Sequence, residues 1–237
     1  MRWVRDLTGR FPQRPHYDQK ELDNECEQII LSFLREKYGE CHLPISTDDL
    51  SIMVEHDTSN LDLYADLSPE GEDIEGLTDF FPDKKPVVKI AKELSLQSWR
   101  QNRLRTTLTH EYGHVKFHAF LWNFNQPKLI PDSSLALGPR CKRGSILDAP
   151  ITDWMEWQAG YVCGSILMPL TFLQKLVQSA MKDWGLYSWI PVDSDHAREL
   201  IARVSEVFDV SNDAARVRLI KLGYLLKIKQ GANIFGD

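Results

Sequence analysis

The chain has 237 residues, 43% of them hydrophobic and 26% charged, and carries 28 Lys and Arg against 34 Asp and Glu for a net charge of −6. This is the composition of a globular protein with a sizeable core and one or two domains, not of a disordered chain. The negative balance excludes a global basic field, so nucleic acid is not favoured as the main partner and any DNA contact needs a local patch.

No run reaches the roughly 18 apolar residues that a membrane helix requires, and Met1–Arg10 lacks the apolar stretch of a signal peptide. Cys26, Cys41, Cys141 and Cys163 form no C-x-x-C pair, which argues against a cysteine zinc knuckle. A cytoplasmic protein with reduced thiols and no membrane partner is the simplest expectation.

In chain order, residues 1–17 form an arm rich in Arg and Pro. It is either a flexible tail or a strap docked through Trp3 and Phe11, and its aromatic content favours the strap. Asp18 to about Lys37 reads as a helix with Ile29, Ile30, Phe33 and Leu34 as its buried stripe. Ser46-Thr47-Asp48-Asp49 reads as the start of a second helix. Leu61–Leu67 is expected to be extended, and residues 69–76 to be an acidic turn. Leu77–Phe81 and Val87–Ile90 are expected to be strands of a hairpin around Pro82 and Pro86. An edge strand here could take an extended peptide by strand addition, or it could simply pack on the helices.

The next segment carries the strongest signal. His110-Glu111-Tyr112-Gly113-His114 spells H-E-x-x-H, within a run from Leu104 to Leu121 that has no proline. On a helix, His110 and His114 lie one turn apart on one face and can reach one Zn²⁺ at about 2.0–2.1 Å. Glu111 is turned about 100° from His110, a position that suits a general base better than a ligand. The motif also occurs by chance on polar helix faces. Here Leu104, Leu108, Val115 and Leu121 supply apolar support at near-helical spacing. The helix is expected to start before Leu104, with a cap near Ser95 or Ser98.

A catalytic zinc takes three protein ligands and leaves a fourth position open. A third histidine six residues after His114 would fall on Phe120, which cannot bind metal. A later helix over residues 153–168 offers Glu156, with Gly160, Cys163 and Leu167 on its face and Ala159 at the edge. The competing role for Glu156 is a capping box with Asp153. The unfinished upstream motif favours Glu156 as ligand, with Asp148 and Asp153 as rival carboxylates. His118 lies about 12 Å along the axis from His110, too far to share the ion easily, and is expected to support the site or the core. Cys163 is expected to be core packing, and Cys141 is at most a remote candidate to cap the zinc.

Between the two motifs, residues 122–151 form a long proline-containing linker with the basic knot Arg140-Cys141-Lys142-Arg143. After Pro169 a helix is expected to about Trp184, then helices over Ala197–Phe208 and Ser211–Leu222 joined by Asp209-Val210. The last pair resembles a helix-turn-helix. Residues 197–230 hold seven basic and four acidic residues, which makes Arg216, Arg218 and Lys221 candidates for a DNA or partner contact. The overall negative charge favours packing or protein recognition. The expected organisation is an arm at 1–17, a peptidase-like domain at 18–184 and a helical segment at 185–237.

The H-E-x-x-H motif with a nearby His118, together with Glu156-Trp157-Gln158-Ala159 running to Leu167-Met168-Pro169, resembles the ImmA/IrrE family of metallo-endopeptidases over about residues 45–225. The chain departs from many relatives at Gly160, where they carry Asn, and at Val162-Cys163, where they have Phe-Ala. The resemblance implies an α+β, mostly helical, zincin-like fold: a small antiparallel sheet, a metal helix and a backing helix, beside the helix-turn-helix-like unit. It implies His110, His114 and Glu156 as ligands of one Zn²⁺, Glu111 as general base, and a protein substrate such as a transcriptional repressor. His118 and Tyr161 are candidate oxyanion or supporting residues. The alternative is a DNA- or protein-binding regulator, including a toxin–antitoxin component, whose zinc site is structural or inactive.

Overall fold

The Arg- and Pro-rich arm does not trail. In the computed structural model, which describes residues 1–71, 73–124, 140–142 and 153–227, it is an antiparallel hairpin of β1 (Arg2–Arg5) and β2 (Gln13–His16). Phe11 anchors it. The ring is buried edge-on against Trp122 and Trp154, with centroids 5.0 and 6.4 Å away, and joins Phe80, Leu121 and Met155 in one apolar cluster. Asp6 fixes the turn by accepting hydrogen bonds from the Phe11 N–H at 3.0 Å and the Trp154 Nε1–H at 3.2 Å. Of the two expected anchors, Phe11 is the buried one; Trp3 stays 45% exposed beside Phe120.

Helix α1 (Gln19–Tyr38) starts at a capping box. Asp18 accepts the Glu21 N–H at 2.8 Å, and Glu21 accepts the Asp18 N–H at 3.0 Å, which satisfies two otherwise orphaned amides. Its buried stripe is Leu22, Cys26, Ile30 and Leu34, one residue per turn. Ile29 and Phe33, expected at its centre, lie at its edge and are half-buried. Helix α2 (Thr47–Asp57) begins as expected, with Ser46 Oγ accepting the Asp49 N–H at 3.0 Å.

The strands β3 (Asn60–Ala65), β4 (Ile74–Asp79), β5 (Val87–Ala91) and β6 (Arg140–Lys142) form a sheet in the order β3-β5-β4-β6. The expectation of an antiparallel sheet is corrected: β4 runs antiparallel to β5 and to β6, but β3 and β5 are parallel. The cause lies in the connections. The Pro82–Pro86 turn makes a hairpin that pairs Asp79 with Val87, and β3 pairs with the side of β5 away from β4. Gly76, expected in a turn, lies inside β4. All six residues of β4 are buried, and both of its edges are paired, so the edge open to strand addition is not β4's.

A short helix α3 (Lys92–Leu96) and a 3₁₀ turn at Ser98–Arg100 lead into α4 (Gln101–His118), which packs on β4. No serine caps α4; Ser95 Oγ donates to the Leu63 carbonyl at 2.6 Å instead. From Arg105 to His118 every α4 residue except Lys116 is buried, so this helix is sheathed on nearly all sides rather than amphipathic. Helix α5 (Phe120–Phe124) follows, and α6 (Trp154–Leu167) lies along α4. Asp23 ties α6 to α1 by accepting the Tyr161 Oη–H at 2.9 Å and the Ser165 Oγ–H at 2.7 Å.

The chain divides into compact units at Met1–Leu170 and Thr171–Asp237. The division falls earlier than residue 184, and the arm belongs inside the first unit. The second unit contains all but the first residue of α7 (Leu170–Asp183), then β7 (Ile190–Pro191), α8 (Asp195–Phe208), α9 (Asn212–Lys221) and β8 (Leu225–Leu226), with β7 parallel to β8. Ser194 and Ser211 cap α8 and α9, and α8 ends on Asp209 in a left-handed conformation, φ 50°. Among the described residues, no single helix is long and apolar enough to cross a membrane.

Tyr161→Phe deletes one donor to the buried Asp23 carboxylate. It is expected to lower unfolding free energy by about 1.5–3 kcal/mol, the range for hydrogen bonds to charged groups. Urea denaturation measures this, and an unchanged midpoint would show that the tie contributes nothing.

Candidate metal centre

Two helices build the centre. His110 and His114 stand one turn apart on the face of α4 that meets α6, and Glu156 lies in the first turn of α6. The His110 and His114 Nε2 atoms are 3.2 Å apart. Glu156 Oε2 lies 3.1 Å from His110 Nε2, and Glu156 Oε1 lies 3.4 Å from His114 Nε2. All three residues are buried, and together they could hold a metal ion.

The capping-box role for Glu156 is excluded. Asp153 is the N-cap of α6 but makes no side-chain cap bond; its carboxylate pairs with Arg10 at 3.2 and 3.3 Å. Glu156 therefore turns to the histidines. Burial opposes its ionisation, but the His114 and His110 imidazoles outweigh burial and hold the carboxyl well below its usual range.

The approach of the helices depends on Gly113. A Cβ there would lie 3.1 Å from Ala159 Cα and 3.3 Å from Val162 Cβ, tight enough that the neighbouring helix would have to give by a few tenths of an ångström, so a glycine suits this close approach. Cys163 packs in the same seam, 3.1 Å from Thr109 Oγ1, and donates to the Thr106 carbonyl at 3.4 Å. It belongs to the core, as expected.

Glu111 faces the sheet. Thr78 Oγ1 donates to its Oε2 at 2.6 Å. A Cβ on Gly76 would lie 2.5 Å from Glu111 Oε1 and 2.8 Å from Thr107 Cγ2. Gly76 and Thr78 are two apart on β4 and so share a face. One leaves room for the carboxylate and the other holds it. The arrangement can therefore bind a cation between α4 and α6 and keep a carboxylate fixed against β4.

His118 continues the histidine row. Its Nδ1 is 3.0 Å from His114 Nδ1, and its Nε2 is 3.0 Å from Gln158 Oε1. Gln158 Nε2 in turn donates to the Pro15 carbonyl at 3.1 Å. Burial, and then the neighbouring His114, push the His118 pKa well below its ordinary value, so the ring is neutral near neutral pH.

Two expected roles are corrected. Tyr161 cannot serve an oxyanion near the ligands, because its hydroxyl points to Asp23 on α1. Arg218 is buried, so it has no side-chain surface to offer a partner; Arg216 is exposed and Lys221 is half-buried. The rival carboxylate Asp148 and the basic Arg143 lie outside the described residues. Cys141 lies in β6 opposite Gly76. Sequence reasoning missed Gln158, Thr78, Gly76 and Pro15 as parts of the site. A glycine inside a strand marks close approach of another group, and Gly76 would have carried that signal had its strand been drawn three residues longer.

Unfolding lets His118 take up a proton below its ordinary pKa of about 6.5, while the folded state refuses it. The unfolded state then binds more protons, so this group's stability is present above that pH and is lost as pH falls below it. His118→Gln is expected to flatten the acid slope of metal-free unfolding by up to about 1.4 kcal/mol per pH unit; parallel slopes for variant and wild type would contradict it. The chain matches no family model and no curated protein.

Proposed function

We propose that this protein is a zinc-dependent endopeptidase of the ImmA/IrrE type, with a zincin-like fold, acting on a protein regulator such as a transcriptional repressor. The observation that carries this reading is the convergence of two imidazole nitrogens, 3.2 Å apart, with the two oxygens of one carboxylate at 3.1 and 3.4 Å from them, beside a separately anchored carboxylate. Ligands at about 2.0–2.1 Å from a tetrahedral zinc are about 3.3–3.4 Å from each other, so the donor set fits the ion. Two imidazoles and one carboxylate also match the catalytic donor sets, whereas a structural zinc closes its shell with a fourth protein ligand. The cluster found among the described residues has three members.

His110, His114 and Glu156 would hold the ion, which supplies Lewis acidity that lets water lose a proton near neutral pH. Glu111 takes that proton at its carboxylate and delivers it to the amine that leaves as the peptide C–N bond breaks. Thr78 fixes the rotation of the Glu111 carboxylate, so the base is aimed before substrate arrives. Burial of His110, Glu111 and His114 strengthens each of these electrostatic interactions. In the second unit, α8 and α9 with the turn at Asp209 support a helix-turn-helix-like reading. Burial of Arg218 reduces its cationic surface and favours a protein partner over DNA.

Glu111→Gln is expected to bind zinc as wild type does and to cleave about 10²–10⁴-fold more slowly. The assay incubates each zinc-loaded protein with regulators encoded beside it and follows fragments by mass spectrometry. Equal cleavage by both proteins would remove Glu111 from the chemistry. Gly76→Ala, which crowds the same carboxylate without touching a ligand, is expected to retain zinc and lose most turnover; wild-type turnover would show that the approach of β4 is immaterial.

A further inference from the structure

The histidine row does not stop at the ligands, and its far end is tied to an element with no obvious business there. Pro15, in β2 of the N-terminal hairpin, presents a carbonyl to the side chain of Gln158. A carbonyl can only accept, so the amide nitrogen of Gln158 must face it, and Oε1 must face His118. An amide oxygen can only accept as well, so His118 must carry its proton on Nε2, 3.0 Å away. A neutral imidazole has one donor and one acceptor. His118 Nδ1 is then the acceptor, and His114 Nδ1, 3.0 Å away, is the donor. With its proton on Nδ1, His114 has its Nε2 lone pair directed at the cluster shared with His110 and Glu156.

We infer that Gln158, anchored on the Pro15 carbonyl, is a positioning residue for metal binding: it sets, through His118, which nitrogen of His114 is bare. The inference rests on the metal-centre reading above. Every member of the chain is buried in the first unit. His110 has no equivalent support, for its buried Nδ1 has no hydrogen-bond partner among the described residues. Among the described residues the support is therefore one-sided, and the hairpin is part of it because its carbonyl decides which way round the amide sits.

Two substitutions separate direction from packing. Gln158→Leu removes the acceptor that fixes His118. Gln158→Glu keeps that acceptor but turns a carboxylate oxygen toward the Pro15 carbonyl, which should cost stability. The full chain and both variants are titrated with zinc against a chromogenic chelator, and the histidine tautomers of the metal-free proteins are read by ¹⁵N NMR. Wild type is expected to show His118 protonated on Nε2 and His114 on Nδ1. Gln158→Leu is expected to bind zinc about 10–100-fold more weakly, the usual loss when a ligand's outer partner is removed, with His114 populating the other tautomer. Gln158→Glu is expected to unfold at lower temperature yet keep the wild-type tautomers and an affinity within a few-fold of wild type. A merely space-filling role predicts near wild-type affinity in both variants, since each nearly keeps the volume of Gln. Wild-type affinity in Gln158→Leu, or reversed tautomers in wild type itself, would overturn the inference while leaving the peptidase reading intact. Should Gln158→Leu fail to fold, the wild-type tautomers still decide. A wild-type protein that takes no zinc would overturn both.

Discussion

The contact between Gly113 and Ala159 is the constraint on which the centre depends. Helices of ordinary composition pack 8–10 Å apart because their side chains stand between them. At this crossing one side chain is absent, and a methyl added there would meet Ala159 Cα at 3.1 Å. At this crossing Glu156 brings its oxygens to 3.1 and 3.4 Å from the two Nε2 atoms. The sparing of space at Gly113 is thus a structural cost to helix propensity that is offset by tertiary packing and by the site it permits.

That closeness places an unusual density of polar groups in the interior. His110, Glu111, His114, His118, Glu156 and Gln158 are all buried within two helices, and such groups destabilise a core unless they are partnered. Their partners come from three directions: the ligands face each other, Glu111 takes a hydrogen bond from Thr78 on β4, and His118 reaches Gln158 and, beyond it, the hairpin. The N-terminal arm is accordingly no appendage. It contributes Phe11 to the apolar cluster, Asp6 to the Trp154 indole and Pro15 to the polar chain. Any ion bound by His110, His114 and Glu156 would couple its binding to folding, since side chains held this close in the fold are not assembled in the unfolded chain.

Most of what could be read from the sequence was local. The helix around His110–His114, the start of α1 at Asp18 and of α2 at Ser46, and the hairpin of β4 and β5 all follow from spacing, turn and capping chemistry within a turn or two, whereas Glu156 is picked out only by the lack of a third histidine upstream and by the family resemblance. What resisted reading was non-local. The parallel pairing of β3 with β5 is set by how the chain passes between strands, which residue pattern does not encode. Tyr161 sits among the right neighbours in sequence yet points to α1, because Asp23 lies there to receive it. Arg218 reads as one cation of a surface row until α9 is folded and the side chain is buried. Gln158 and Pro15 are separated by most of the first unit's length, and nothing in either residue's surroundings announces the other.

The division of labour around α4 follows from helical geometry. Successive residues are turned by about 100°, so His110 and Glu111, though adjacent, face different elements. His110 faces α6, where Glu156 completes the ligand set. Glu111 faces β4, where Gly76 admits its carboxylate and Thr78 binds it. His114 and His118, further along the row, face back toward α6 and the chain that ends at Pro15. The three side chains that could hold an ion are therefore placed by the helix–helix seam, the Glu111 carboxylate by the sheet, and the Gln158 amide by the hairpin. A change in any one of these elements is felt through its own residue on α4, which is why a single helix must be buried on nearly all sides to do this work.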